Sequence, residues 1–159
     1  MSANTRKFNT LEQVTDVVEI LNSNLASYLD SPVPPPTIIA IGSDFVSSMY
    51  AKPYVLVPAI SLDCEDDAQC MVEDTLTVSV GVYLEAPDDK TALEWIFQYC
   101  DAIRSVFLDN DRLEHSYDIK TTHADFYPGG SANEKLCIVE LEARHWLRQR
   151  KKSGQDRRR

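Results

Sequence analysis

Glycine is scarce, with five residues in 159, and neither a G-x-G-x-x-G nor a G-x-x-x-x-G-K-[ST] stretch is present. The chain therefore lacks the amide cradles with which those two nucleotide-binding classes hold phosphate. Long apolar runs are missing too. The longest, such as Thr37 to Ile41 and Val55 to Val57, fall far short of the roughly 18 residues a membrane-spanning helix needs. The opening residues, MSANTRKFN, hold no apolar core of a secretory signal, so synthesis in the cytosol is expected. The four cysteines, Cys64, Cys70, Cys100 and Cys137, are then expected to remain thiols and to act as small hydrophobes. No internal repeat of 20 to 50 residues occurs, which excludes solenoids and propellers.

What is present is an ordinary globular balance, 43% hydrophobic and 26% charged, enough for one compact core. Charge is unevenly spread. Residues 148–159 carry Arg148, Arg150, Lys151, Lys152, Arg157, Arg158 and Arg159 against Asp156, a balance of +6. Since the whole chain is −9, residues 1–147 carry −15. So acidic a body repels nucleic acid within a Debye length of about 8–10 Å, and the cationic tail is the candidate partner-binding segment. The expected organisation is a flexible stretch 1–9, a single α+β domain over 10–147, and a basic tail 148–159.

Thr10 and Gln13 have the T-x-x-Q spacing of a capping box, and Leu11, Val14, Val17, Val18, Leu21, Leu25, Tyr28 and Leu29 share one arc of a helix. SPVPPP at 31–36 must stop that helix, because proline lacks the amide donor and disfavours the α region in its predecessor. Residues 37–41 and 53–62 are β-branched strand candidates, the second made an edge or bulged strand by Pro58. Residues 63–74, with six carboxylates, are expected to be a solvated acidic loop. Residues 75–85 alternate strictly, Leu76, Val78, Val80, Val82 and Leu84 against polar neighbours, the mark of a half-buried central strand. Pro87-Asp88-Asp89 should cap a second helix running to about Leu108. Its apolar residues, Trp95, Phe97 and Leu108 among them, spread too widely for one buried stripe. Two strands, about 115–127 and 136–147, joined by PGGSAN, complete a hairpin. The expected fold is α+β: an antiparallel or mixed sheet of about four to five strands packed by two main helices, in the order α-β-β-β-α-β-β.

Catalytic and metal signatures do not assemble. Cys64 and Cys70 are too far apart for a common zinc knuckle and no second pair completes a tetrahedral set. Asp109, Asp111 and Glu114 lack the glycine turn and final bidentate glutamate of a calcium loop. His123 and Asp125 share a strand face near Ser116 and Thr121, but no nucleophile elbow accompanies them. His145, between Arg144 and Trp146, is read as a packed or exposed histidine. No cofactor, no metal and no enzymatic activity are expected. The more telling residues are Tyr83, Trp95 and Trp146, large aromatics on faces that should otherwise be polar and hence candidate subunit-interface positions.

TVSVGVYLE at 77–85, the helix ALEWIFQYCDAIR at 92–104 and the closing EARHWL at 142–147, in this order of elements, resemble the tail terminator and head–tail joining proteins of long-tailed bacteriophages. The resemblance covers about Leu11 to Leu147. It implies a small α+β domain assembling as a homo-oligomeric ring, commonly a hexamer, that caps the tail tube and joins it to the head. The implied partners are copies of itself, the tail tube protein and a head-completion protein; the implied location is the virion, with DNA passing through and no membrane contact. The alternative reading is a ferredoxin-like module binding a small molecule or serving regulation.

Overall fold

The computed structural model describes residues 8–45, 50–66 and 71–148. Helix α1 spans Thr10–Asn24 and continues as a 3₁₀ turn over Leu25–Tyr28. Strands β1 (Ile39–Ile41), β2 (Tyr54–Val57), β3 (Ala59–Asp66) and β4 (Met71–Glu85) follow. Helix α2 covers Asp89–Asp109, and β5 (Asp118–Pro128) and β6 (Glu134–Arg148) close the chain. The α+β class is as expected. The described residues form six strands rather than four to five, with four of them between the helices.

The extra strands have two causes. Pro58 cannot donate to a ladder, so the 53–62 segment divides there into β2 and β3, both paired with β4. Pro58 still contributes its carbonyl, which accepts the Ser79 amide at 3.0 Å. Where it is described, the acidic stretch is strand and not loop: Asp63 pairs with Thr75, Cys64 with Asp74 and Glu65 with Glu73 in an antiparallel ladder, and residues 67–70 lie outside the described residues. Residues 59–65 are exposed throughout, so their carboxylates keep their hydration while the backbone bonds are made. That is how a charge-rich segment serves as a strand.

The sheet runs β1-β2-β4-β6-β5, with β3 also on β4. Only β1 and β2 are parallel. Strand β4 is the spine, paired with β6 along its whole length. Both helices cover one face. Val14, Val17, Leu21 and Leu25 of α1 and its extension meet Ile96, Ile103 and Phe107 of α2 over Leu76, Val78, Val80, Val139 and Leu141. Each such side chain, when fully buried, contributes about 1.5–3 kcal/mol. Tyr99 joins this core and donates to the Pro34 carbonyl at 2.6 Å, pinning the proline connector to α2; burial raises its pKa.

Two helix-start expectations fare differently. Asp88 caps α2, accepting the Thr91 amide at 2.8 Å, and that hydrogen bond lowers its pKa. Helix α1 has no capping box. Asn9 is its N-cap and makes no side-chain cap bond, whereas Gln13 is buried and donates to Ser116 Oγ at 3.2 Å and to the Ala143 carbonyl at 3.3 Å. Its amide is used to fasten helix to sheet. Leu11, expected on the buried arc, is exposed because the face that α1 buries runs through Gln13, Val14, Val17 and Leu21 and leaves Leu11 at its rim.

Candidate assembly surfaces

Strand parity assigns the sheet's other face. Opposite the helices lie Glu73, Thr75 and Thr77 of β4, Glu140, Glu142, Arg144 and Trp146 of β6, and Asp118, Lys120, His123 and Asp125 of β5. Trp146 is 56% exposed. Its indole stacks on Tyr117, with centroids 5.2 Å apart and planes at 23°. The Tyr117 hydroxyl donates to Glu73 Oε2; burial first, and the bond to Glu73 second, raise its pKa. A hydrogen bond to Tyr117 in turn raises the pKa of Arg144. Four side chains from two strands and the preceding loop thus hold one another on an otherwise polar surface.

The other two aromatics sit differently. Tyr83, expected on an exposed polar face, is buried in a second small core with Tyr54 and Leu56, flanked by Ile38, Ala40, Phe45 and Leu136. The rings of Tyr54 and Tyr83 meet edge-on at 5.8 Å. The Tyr83 hydroxyl donates to Glu134 Oε1 at 3.2 Å and accepts the Gly130 amide at 3.0 Å. Trp95 is half-buried, packed against the main core. Of the three, Trp146 alone presents an open ring.

Apolar surface appears instead where α2 faces the sheet edge. Phe97 and Phe126 touch edge-to-face at 5.2 Å and 88° and are 47% and 46% exposed, with Leu108 more so. The wide apolar arc of α2 predicted burial on more than one side, and α2 packs both on the sheet and on α1 with its 3₁₀ extension; Phe97 and Leu108 lie on the part of the arc left exposed. A hollow of about 430 Å³, walled by Phe97, Cys100, Arg104, Thr121, Ala124 and Phe126, opens beside this pair.

Groups that might suggest chemistry do not converge on a reacting position. His123 Nε2 lies 3.0 Å from Asp125 Oδ1 on an exposed face, whereas Ser116 is buried and accepts from Gln13. Ser116 is thus committed to the core, and Thr121, the other imagined nucleophile, pairs with Leu141 on the helix-side face while His123 pairs with Glu140 on the opposite one. His145 Nδ1 faces the His115 carbonyl at 2.9 Å. Asp16, Glu114 and His115 bring ligand atoms within 4.8 Å of one another, yet Asp16 is already engaged by His115 at 2.9 Å. Asp109 accepts the Tyr28 hydroxyl at 2.6 Å, away from that set. Cys100 and Cys137 are buried together in the core; the hydrogen bond between them lowers the Cys100 thiol to about 7 and raises that of Cys137. Cys64 is exposed, and Cys70 lies outside the described residues. In the basic tail, the backbone of Arg148 pairs with Met71 at the end of β6; Arg150, Lys151, Lys152, Arg157, Arg158 and Arg159 lie outside the described residues.

No helix among the described residues is long and apolar enough to cross a membrane. No protein-family model matches the chain, and no curated protein sequence matches it. Among solved structures, the fold is similar to that of a chain in the virion of a native gene transfer agent particle. The superposition has a TM-score of 0.54 at 14% sequence identity and covers 82% of this chain and 97% of that one.

Proposed function

We propose that this chain is a structural virion protein that assembles as a ring, caps the tail tube and joins it to the head, leaving an acidic channel for DNA. The observation that carries the reading is the fold likeness to a chain of a gene transfer agent virion, which extends over nearly all of that chain. The sequence resemblance to tail terminators points the same way independently of it.

The surfaces are of the kind a ring uses. A closed ring of identical subunits needs two different contact patches on each copy, and the chain offers an open aromatic stack at Trp146 as well as apolar surface along α2. The face turned from the helices carries Glu73, Asp118, Asp125, Glu140 and Glu142 against Lys120 and Arg144. On this reading the part of that face away from Trp146, with Asp125, Glu140 and Glu142, lines the channel, where carboxylates repel phosphate and let the genome slide. The partners are further copies, the tube protein and a head-completion protein.

Size-exclusion chromatography with light scattering tests the reading. The expected species is a ring of about six subunits, alone or once tube protein is added, that does not retain duplex DNA at about 150 mM salt. A strictly monomeric chain in the presence of tube protein, or tight DNA binding by the ring, overturns it.

A further inference from the structure

Strand β5 pairs with β6 on one side only. On its other side the Ile119 amide is taken by the Asp111 carbonyl at 2.8 Å, and among the described residues no strand follows. Beside this edge the 430 Å³ hollow continues into one of about 670 Å³, the two sharing Asp101, Arg104 and Thr121. Together they form a groove between α2 and β5 with Phe97 and Phe126 at one end and Leu108 and Ile119 at the other. Strand β3 is the complementary object. Among the described residues it pairs with β4 alone, is exposed along 59–65, and carries Ile60 and Leu62 at 56% and 40% exposure. A protein that leaves an eight-residue edge strand with open apolar side chains invites strand addition.

We propose that β3 of one copy docks in the α2–β5 groove of the next, continuing the sheet from subunit to subunit. The inference rests on the ring reading above and names its contact. Leu62 shares the helix-side face of Leu76, while Asp63 and Glu65 share the opposite face with Thr75 and Glu73. Added beside β5, the strand turns Leu62 toward the groove and the two carboxylates away from it. Charge selects the direction. β3 has no cation, and along β5 Lys120 offsets Asp118 at one end, whereas Asp125 has no Lys or Arg on the strand beside it at the other. Antiparallel docking with Leu62 opposite Ala124 sets Ile60 beside Phe97 and Phe126, Asp63 against His123, and Glu65 near Lys120, with the β5 irregularity between Thr121 and His123 taking up the offset. Parallel docking in the same register would carry Asp63 onto Asp125. Because every subunit adds its strand in the same sense, all helices fall on one side of a continuous sheet and the carboxylate-rich face on the other. The contact is heterologous, as ring closure requires.

The test uses the full chain with Cys64 and Cys70 replaced by serine. In that background Asp63→Cys with His123→Cys should give, under mild oxidation by diamide, a ladder of disulfide-linked species ending at the ring's subunit number; neither single variant should. Ile60→Asp with Leu62→Asp, exposed positions whose change leaves the monomer folded by circular dichroism, should raise the concentration for half-assembly roughly tenfold or more. A ring that forms normally with no ladder and tolerates the double aspartate overturns this contact and leaves the ring reading intact. A chain that stays monomeric with tube protein present overturns both.

Discussion

Asp16 Oδ2 accepts both the backbone amide and the ring Nδ1 of His115, each at 2.9 Å. One buried carboxylate on α1 thereby ties that helix to the turn preceding β5. Asp16→Ala leaves two donors in a half-buried position without a partner, and a loss of about 1–3 kcal/mol is expected, read by urea denaturation. An unchanged midpoint would show that water replaces the carboxylate.

Lys52 Nζ stands 2.8 Å from Glu134 Oε2 and 5.3 Å from the centre of the Tyr83 ring, fastening the start of β2 to the hairpin. The hydrogen bond from Lys52 holds the Glu134 pKa below its ordinary value. A depressed carboxylate contributes stability that is complete above the unfolded pKa, about 4.3, and is lost as pH falls through the folded one. Wild type should therefore lose stability between about pH 4.3 and lower values more steeply than Glu134→Gln. Near neutrality the variant should cost about 0.5–1 kcal/mol, since the pair is partly solvated. Thermal melts across that range compare the two slopes.

A Cβ placed on Gly81 runs into the Phe45 ring, so glycine is required here for close approach. Gly81→Ala should displace Phe45 and destabilise by about 1–3 kcal/mol, and Phe45→Ala introduced together with it should relieve part of the loss. A double-mutant cycle on chemical denaturation measures that coupling; strict additivity would remove Phe45 from the account.

Thiol labelling separates the cysteines by burial. Cys64 is exposed whereas Cys100 and Cys137 are buried, so iodoacetamide in native buffer should modify Cys64 and leave the other two until urea is added. Peptide mass spectrometry reads the order. Rapid native labelling of Cys100, whose thiol is lowered to about 7 by its bond with Cys137, would mean that α2 opens from the sheet.

Trp146 and Trp95 should differ as reporters. The exposed indole on Tyr117 should supply most acrylamide quenching, which should fall sharply in Trp146→Phe and little in Trp95→Phe. Trp146→Ala should change monomer stability by no more than about 0.5 kcal/mol, as for a surface position, while weakening assembly measured by light scattering. Normal assembly would remove Trp146 from the interface.

Local signals were faithful wherever one face of an element meets a core. The alternation from Leu76 to Leu84 and the Asp88 cap both read directly, because side-chain direction follows from backbone period and capping involves residues three apart. Gln13 shows where such reading stops: the same T-x-x-Q spacing suits a capping box or an amide aimed at the sheet, and only Ser116 and Ala143, more than a hundred positions away, select between them.

The candidate surfaces divide in the same manner. Their residue types were visible, since aromatics, carboxylates and the cationic end stand plainly in the chain, but their exposure was not. Tyr83 and Trp146 alternate alike on β4 and β6, yet Lys52 and Tyr54 pack on the first ring and the second stays open. The amino-acid order by itself determined the α+β class, the helix-facing stripe and the lack of a glycine phosphate cradle, all consequences of short-range periodicity and composition. Which described edges stay unpaired, that Asp63 to Asp66 and Met71 to Asp74 are strand, and where a groove opens beside α2 were decided by tertiary structure, because cover and pairing depend on segments distant in sequence.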